Sequence, residues 1–144
     1  MFGPSILENT PRRSVYLRVK RSELIPLMTM FDAPEPTQSV GERISTTVPT
    51  QSLAMMNSPF VRQQAEKLAQ RIYPTKDVPL AAAVDSAYRI TFARAITDVE
   101  RTQMLAFIEA QQGIVGGDPA TTTERALVEF CQVLLCLNEF VYID

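Results

Sequence analysis

Residues 121–138, TTTERALVEFCQVLLCLN, decide the fold. Leu127, Phe130, Cys131, Leu134 and Leu135 recur at helical spacing and make the cleanest apolar seam in the chain. Such a seam belongs to an amphipathic helix lying on a core. Thr121-x-x-Glu124 ahead of it has the form of a capping box, in which hydroxyl and carboxylate satisfy each other's backbone N–H groups. Asn138 closes the helix. Phe140-Val141-Tyr142-Ile143 then form an apolar tail that has to dock on the domain or on a partner.

The same pattern repeats upstream. Val61, Ala65, Leu68, Ala69 and Ile72 make a second stripe, opened by a serine N-cap with proline at the first helical position, Ser58-Pro59, and ended by Tyr73-Pro74. Before it, Pro49 suits a first helical turn, with Leu53 and Met56 as a short apolar face ending at Asn57. After it, Asp77 and Pro79 mark a start, and Leu80, Val84, Ala87, Tyr88 and Ile90 lie on or near one face. Thr97-Asp98-Val99-Glu100 is a further capping box, followed by Met104, Phe107, Ile108 and Gln111 and stopped by Gly113, Gly116, Gly117 and Pro119. The expected fold is all-α: four to five helices in an orthogonal or irregular bundle, with an extended N-terminal arm and one long loop.

The first third is less regular. Pro4 and Pro11 make residues 1–11 a loose or extended arm, and residues 12–21, RRSVYLRVKR, read as a strand or, Pro26 apart, as a helix continuing through Leu24, Leu27 and Met28, with an extended entry followed by a short helix the expectation. Phe31 to Ser45 is a loop around Pro34, Pro36 and Gly41; at this length it is functional or wraps the core. The organisation expected is an arm and loop over residues 1–46 and a helical domain over 47–144, together one structural unit.

Composition narrows the chemistry. The 144 residues include no histidine, which removes a Ser-His-Asp or Cys-His nucleophile pair, a His-ligated zinc and a proximal haem histidine. Hydrophobic residues are 46% and charged residues 21%, a globular composition with enough apolar material for a core. A net charge of -2 and a pI near 5.2 give no basic field to draw the chain to nucleic acid or an anionic membrane. Apolar runs are a few residues long, too short to span a bilayer, and the N-terminus lacks the charged and apolar regions of a signal peptide. Cys131 and Cys136, five apart on a helix at about 100° per residue, point different ways and read as buried thiols rather than a disulfide or metal pair.

The candidate functional residues cluster in the arm and loop. Arg12, Arg13, Arg18, Lys20 and Arg21 surround Tyr16, and with Arg43 they read either as an anion or partner site or as ion-pair partners of Asp32, Glu35 and Glu42. Those carboxylates match no calcium-loop spacing, and Phe31-Asp32-Ala33-Pro34 reads as a turn with a hydrophobic anchor. Gln51 and Asn57 are placed to hydrogen-bond the loop backbone and anchor it. Met28, Met30, Met55, Met56 and Met104 sit as core filler rather than as haem or copper ligands, and Ser14, Ser39 and Ser45 have no histidine partner. No catalytic residue, metal ligand or cofactor is assigned.

Arg12-Arg13-Ser14-Val15-Tyr16, Arg21, Phe31-Asp32-Ala33-Pro34, Arg43, Thr46 to Leu53 (TTVPTQSL), Asn57 to Val61 (NSPFV) and Asn138 to Asp144 (NEFVYID) follow one another in order. From about Gly3 to Asp144 this succession resembles the C-terminal part of the planctomycete PSD domain, a family with no assigned function. The resemblance implies an internal start at Met1, an upstream half of the domain outside this chain, and an exported, extracytoplasmic parent. It also implies neighbouring upstream domains, a c-type cytochrome domain among them. Two departures stand out: Ala93 and Ala95 replace the glycine and proline of a Gly-Arg-Pro turn, and Val40-Gly41 stand where many relatives carry cysteine.

The expected role is a non-catalytic structural or interaction module, with the arm and loop packed on the upstream half and with no nucleic-acid or membrane partner. The alternative is part of an enzyme acting on carbohydrate or sulfated polymer, with Arg13, Arg21, Asp32 and Arg43 lining a cleft whose base lies elsewhere.

Overall fold

Pro49, Pro59 and Pro119 each open a helix. A proline lacks the N–H that a first helical turn leaves unused, and its fixed φ already suits the helix. The computed structural model describes Met28, Thr29, Phe31, Ala33, Gly41, residues 49–115 and residues 118–142. From Pro49 onward the helices are α1 (Pro49–Asn57), α2 (Pro59–Ile72), α3 (Leu80–Phe92), α4 (Asp98–Val115), α5 (Pro119–Cys136) and α6 (Asn138–Val141). No strand occurs among the described residues, and the fold is all-α as the spacing predicts.

The chain divides into two units, Met1–Ala54 and Met55–Asp144. In the first, Met28 and Thr29 are helical, and the Phe31 and Ala33 amides donate to the Met28 carbonyl at 3.2 and 2.9 Å. The half-buried Phe31 thus sits in the expected turn. Gly41 is an exposed bend, and the first six residues of α1 complete what is described of this unit.

In the second unit, α5 is the hub: it packs against α2, α3, α4 and α6. Its Ala126, Leu127, Phe130, Cys131 and Leu134 are fully buried. They meet Ala65, Ala69 and Ile72 of α2, Ala83, Val84, Ala87 and Tyr88 of α3, and Ile108 of α4 in one apolar cluster. The alanines of α2 and α3 in this cluster are small beside Phe130 and Leu127, a mix of sizes that suits close packing. The Gln112 side-chain amide donates to the Thr123 hydroxyl at 2.9 Å, tying α4 to α5.

Several helix ends follow the sequence signals. Ser58 caps α2 by accepting from the Val61 amide at 3.4 Å. At α4 the Thr97 hydroxyl accepts from the Glu100 amide at 3.3 Å while the Thr97 amide donates to Glu100 Oε2 at 2.9 Å. This is the expected capping box.

Others differ. Pro119 begins α5 instead of stopping α4, because Asp118 takes the N-cap and accepts from the Thr121 amide at 3.4 Å. Thr121 therefore lies inside the helix, and the neighbouring Thr122 and Thr123 hydroxyls donate back to Asp118 and Pro119 carbonyls, each at 2.9 Å. Gly113 does not stop α4, which runs on to Val115; a methyl group at Gly113 would meet nothing within 4 Å. Ile90 points outward rather than with the buried face of α3, since it lies about 200° around the helix from Tyr88. At the C-terminal end α5 stops at Cys136, and Asn138, expected to close that helix, instead opens a single turn, α6.

Candidate functional site

The most heavily connected polar group in the second unit is Arg94, in the elbow between α3 and α4. Phe92 ends α3, and Ala93 then turns the chain with φ 55 and ψ 22. This left-handed conformation is rare for any side chain larger than glycine. It completes the turn and carries Arg94 back against the rings at the end of α3. The guanidinium carbon lies 5.4 Å from the Tyr88 ring centre and 5.7 Å from that of Phe92, and the two rings meet edge to face at 5.2 Å. The rings form a cation-friendly wall.

Two carboxylates close on Arg94 from the other side. Its Nη2 and Nη1 donate to Glu100 Oε1 and Oε2 at 2.6 and 3.0 Å. Its Nε and Nη2 donate to Glu139 Oε1 and Oε2 at 2.6 and 2.9 Å. A further bond from Nη1 reaches the Ala95 carbonyl at 3.1 Å. Planar, bidentate pairing of this kind requires arginine rather than lysine. One residue thus joins the end of α3, the first turn of α4 and the helix α6.

The electrostatics follow from that geometry. Arg94 holds Glu100 down to a pKa of about 2, helped by the Thr97 amide and hydroxyl. Glu139 is lowered by the same guanidinium, and Arg94 itself is raised by its hydrogen bonds to Glu139 and Glu100. Burial raises Tyr88, with the Glu100 charge adding to it.

Two smaller nodes repeat the theme. Arg62 of α2 donates to Glu129 Oε1 and Gln132 Oε1 of α5, both at 2.7 Å. Arg101 of α4 reaches Asp85 of α3 at 2.9 and 3.3 Å and Asp98 at 3.0 Å. Each arginine therefore pins one helix to another.

Open grooves occur among the described residues. One, of about 430 Å³, lies between α2 and α5 beside Glu66, Tyr73, Glu124 and Arg125. Another, of about 780 Å³, is lined by Met56, Arg62, Phe107, Glu129, Val133 and Cys136 among others. Burial raises the Cys136 thiol and pushes Cys131 up to about 12, so both favour the protonated, weakly nucleophilic form. Among the described residues no group of three or more cysteine, aspartate or glutamate side chains is arranged to hold a metal ion. No helix among them is long and apolar enough to cross a membrane.

Of the residues singled out from the sequence, Arg12, Arg13, Arg21, Asp32 and Arg43 lie outside the described residues. Gln51 is buried on α1, and Asn57 is exposed at its end. Sequence reasoning missed Arg94, Arg62 and Arg101. Only Arg94 carried a signal: it sits three residues before the capping threonine, in the segment whose resemblance to a Gly-Arg-Pro turn marks a bend.

Neither the curated proteins nor the solved structures contain a match to this chain. A family model does match: PSD1, described as a protein of unknown function (DUF1553), over residues 5–108. That span takes in Arg94, Thr97 and Glu100 and ends before Glu139. With most of its length matched, the chain belongs to the PSD1 family, whose function is unknown.

Proposed function

We propose that this chain is a non-catalytic structural or interaction module of a larger, exported multidomain protein. One observation carries the reading: Arg94 and Arg101 are each engaged by carboxylates of another helix and line neither groove, so their charge goes into joining helices, and Arg62, on the wall of the larger groove, is likewise paired with Glu129 of α5. A site that binds anionic substrate keeps its arginines turned toward open space. The basic arm around Arg12, Arg13 and Arg21, with Asp32 and Arg43, forms the contact with upstream domains of the parent. The extracytoplasmic location and a c-type cytochrome neighbour rest on the resemblance to the planctomycete domain.

Crosslinking of the full-length parent tests the reading. Crosslinks from Lys20 and its neighbours to upstream domains are expected, and they are lost on charge reversal at Arg12 and Arg13. The reading fails if the arm crosslinks to nothing upstream, or if the purified chain turns over a carbohydrate or sulfated polymer. A cytochrome partner is supported by loss of its binding in the same charge-reversed variant and removed by unchanged binding.

A further inference from the structure

We propose that α6 is a hinged strap that opens locally at Leu137, with the Arg94–Glu139 ion pair as its clasp. This conformational device is independent of the module reading.

The hinge is a single residue. Leu137 has extended backbone angles, φ -69 and ψ 145, and serves at once as the C-cap of α5 and the N-cap of α6. Just before it, Leu134 is fully buried and anchors α5 in the core. Just after it, α6 has four residues, none of them buried, and no side-chain cap. A helix of one turn has no stability of its own, because its nucleation cost is not recovered by propagation. Its amide bonds, from Phe140 and Val141 to the Leu137 carbonyl and from Tyr142 to the Asn138 carbonyl, persist only while something holds it in place.

The strap rests on α3 and α5 and is fastened by the two bonds from Arg94 to Glu139. Releasing the clasp does not orphan the arginine. Arg94 keeps both bonds to Glu100, the bond to the Ala95 carbonyl and the faces of Tyr88 and Phe92. Glu100 in turn stays held by Thr97. Opening therefore leaves the elbow intact and its guanidinium fork presented for a carboxylate to return to. Such an asymmetry between a retained socket and a weakly self-stable strap is what confines unfolding to one segment. The open form releases the Glu139 carboxylate and the Phe140 side chain, which is already 43% exposed.

Amide hydrogen exchange on the full chain tests this, comparing the native protein with Glu139→Gln. The substitution keeps size and removes the charge, so misfolding is not at issue. Exchange at Phe140, Val141 and Tyr142 is expected to rise about two- to fivefold, while amides of α5 around Phe130 and Leu134 keep their rate. Molar salt should produce the same rise in the native protein and little more in the variant. The proposal is overturned if residues 140–142 are unaffected by the substitution, or if they exchange together with the α5 core in both proteins.

Discussion

The side-chain amide of Gln132 donates to the main-chain carbonyl of Met56 at 2.6 Å, while its oxygen accepts from Arg62 Nη1 at 2.7 Å. Met56 lies in the last turn of α1, where helix geometry leaves carbonyls without a partner. One side chain on α5 thus satisfies the end of one helix and steadies the arginine of the next. Replacing it by leucine keeps the volume and removes both bonds. The expected loss is about 1–2 kcal/mol, read as a lower urea midpoint at unchanged slope.

Ala93 holds a left-handed backbone that glycine adopts without steric strain. Ala93→Gly should therefore stabilise the protein by roughly 0.5–1 kcal/mol, the strain relieved exceeding the added freedom of the unfolded chain. Thermal unfolding at matched concentration checks the sign: the midpoint rises.

Glu100 titrates at about 2 instead of its ordinary 4.5, so its ionised form favours the folded state. The stabilisation is complete well above pH 4.5, declines as the pH falls through the acid range and is gone once the pH drops below about 2. Glu139 adds to the same trend, its carboxyl also being lowered by Arg94. Glu100→Gln should be less stable than the native protein at neutral pH, and the two stability curves should converge toward pH 2. Parallel curves would contradict the pairing with Arg94.

The two thiols differ in access. Cys131 is fully buried among the core side chains of α5, whereas Cys136 lies on a groove wall. Alkylation of the native protein should mark Cys136 slowly and leave Cys131 untouched until the chain unfolds. Mass spectrometry of the two peptides distinguishes them.

Local signals carried most of the fold. Ser58-Pro59 and the Thr97–Glu100 box are short-range chemistry, and the stripes of α2 and α5 are plain periodicity. Where two local signals competed, the reading slipped. Asp118 and Thr121 are both good caps, and Pro119 halts one helix as readily as it starts another; the aspartate prevails because Pro119 then falls at the start of the helix. Long-range pairs left no trace. Arg62 meets Glu129 67 residues away, and Arg94 meets Glu139 45 residues away; no spacing rule connects either pair. The turn at Ala93 showed only through the resemblance, because alanine itself disfavours the left-handed backbone it adopts there.

The central position of α5 has a consequence for synthesis. Three of its packing partners, α2, α3 and α4, leave the ribosome before it does. Until residue 136 has emerged, the apolar stripes of these helices lack the partner against which α2 and α4 chiefly pack, so the growing polypeptide carries sticky surface. A chain interrupted before Pro119 is thus a client for chaperones or for clumping, and the bundle assembles in one late step.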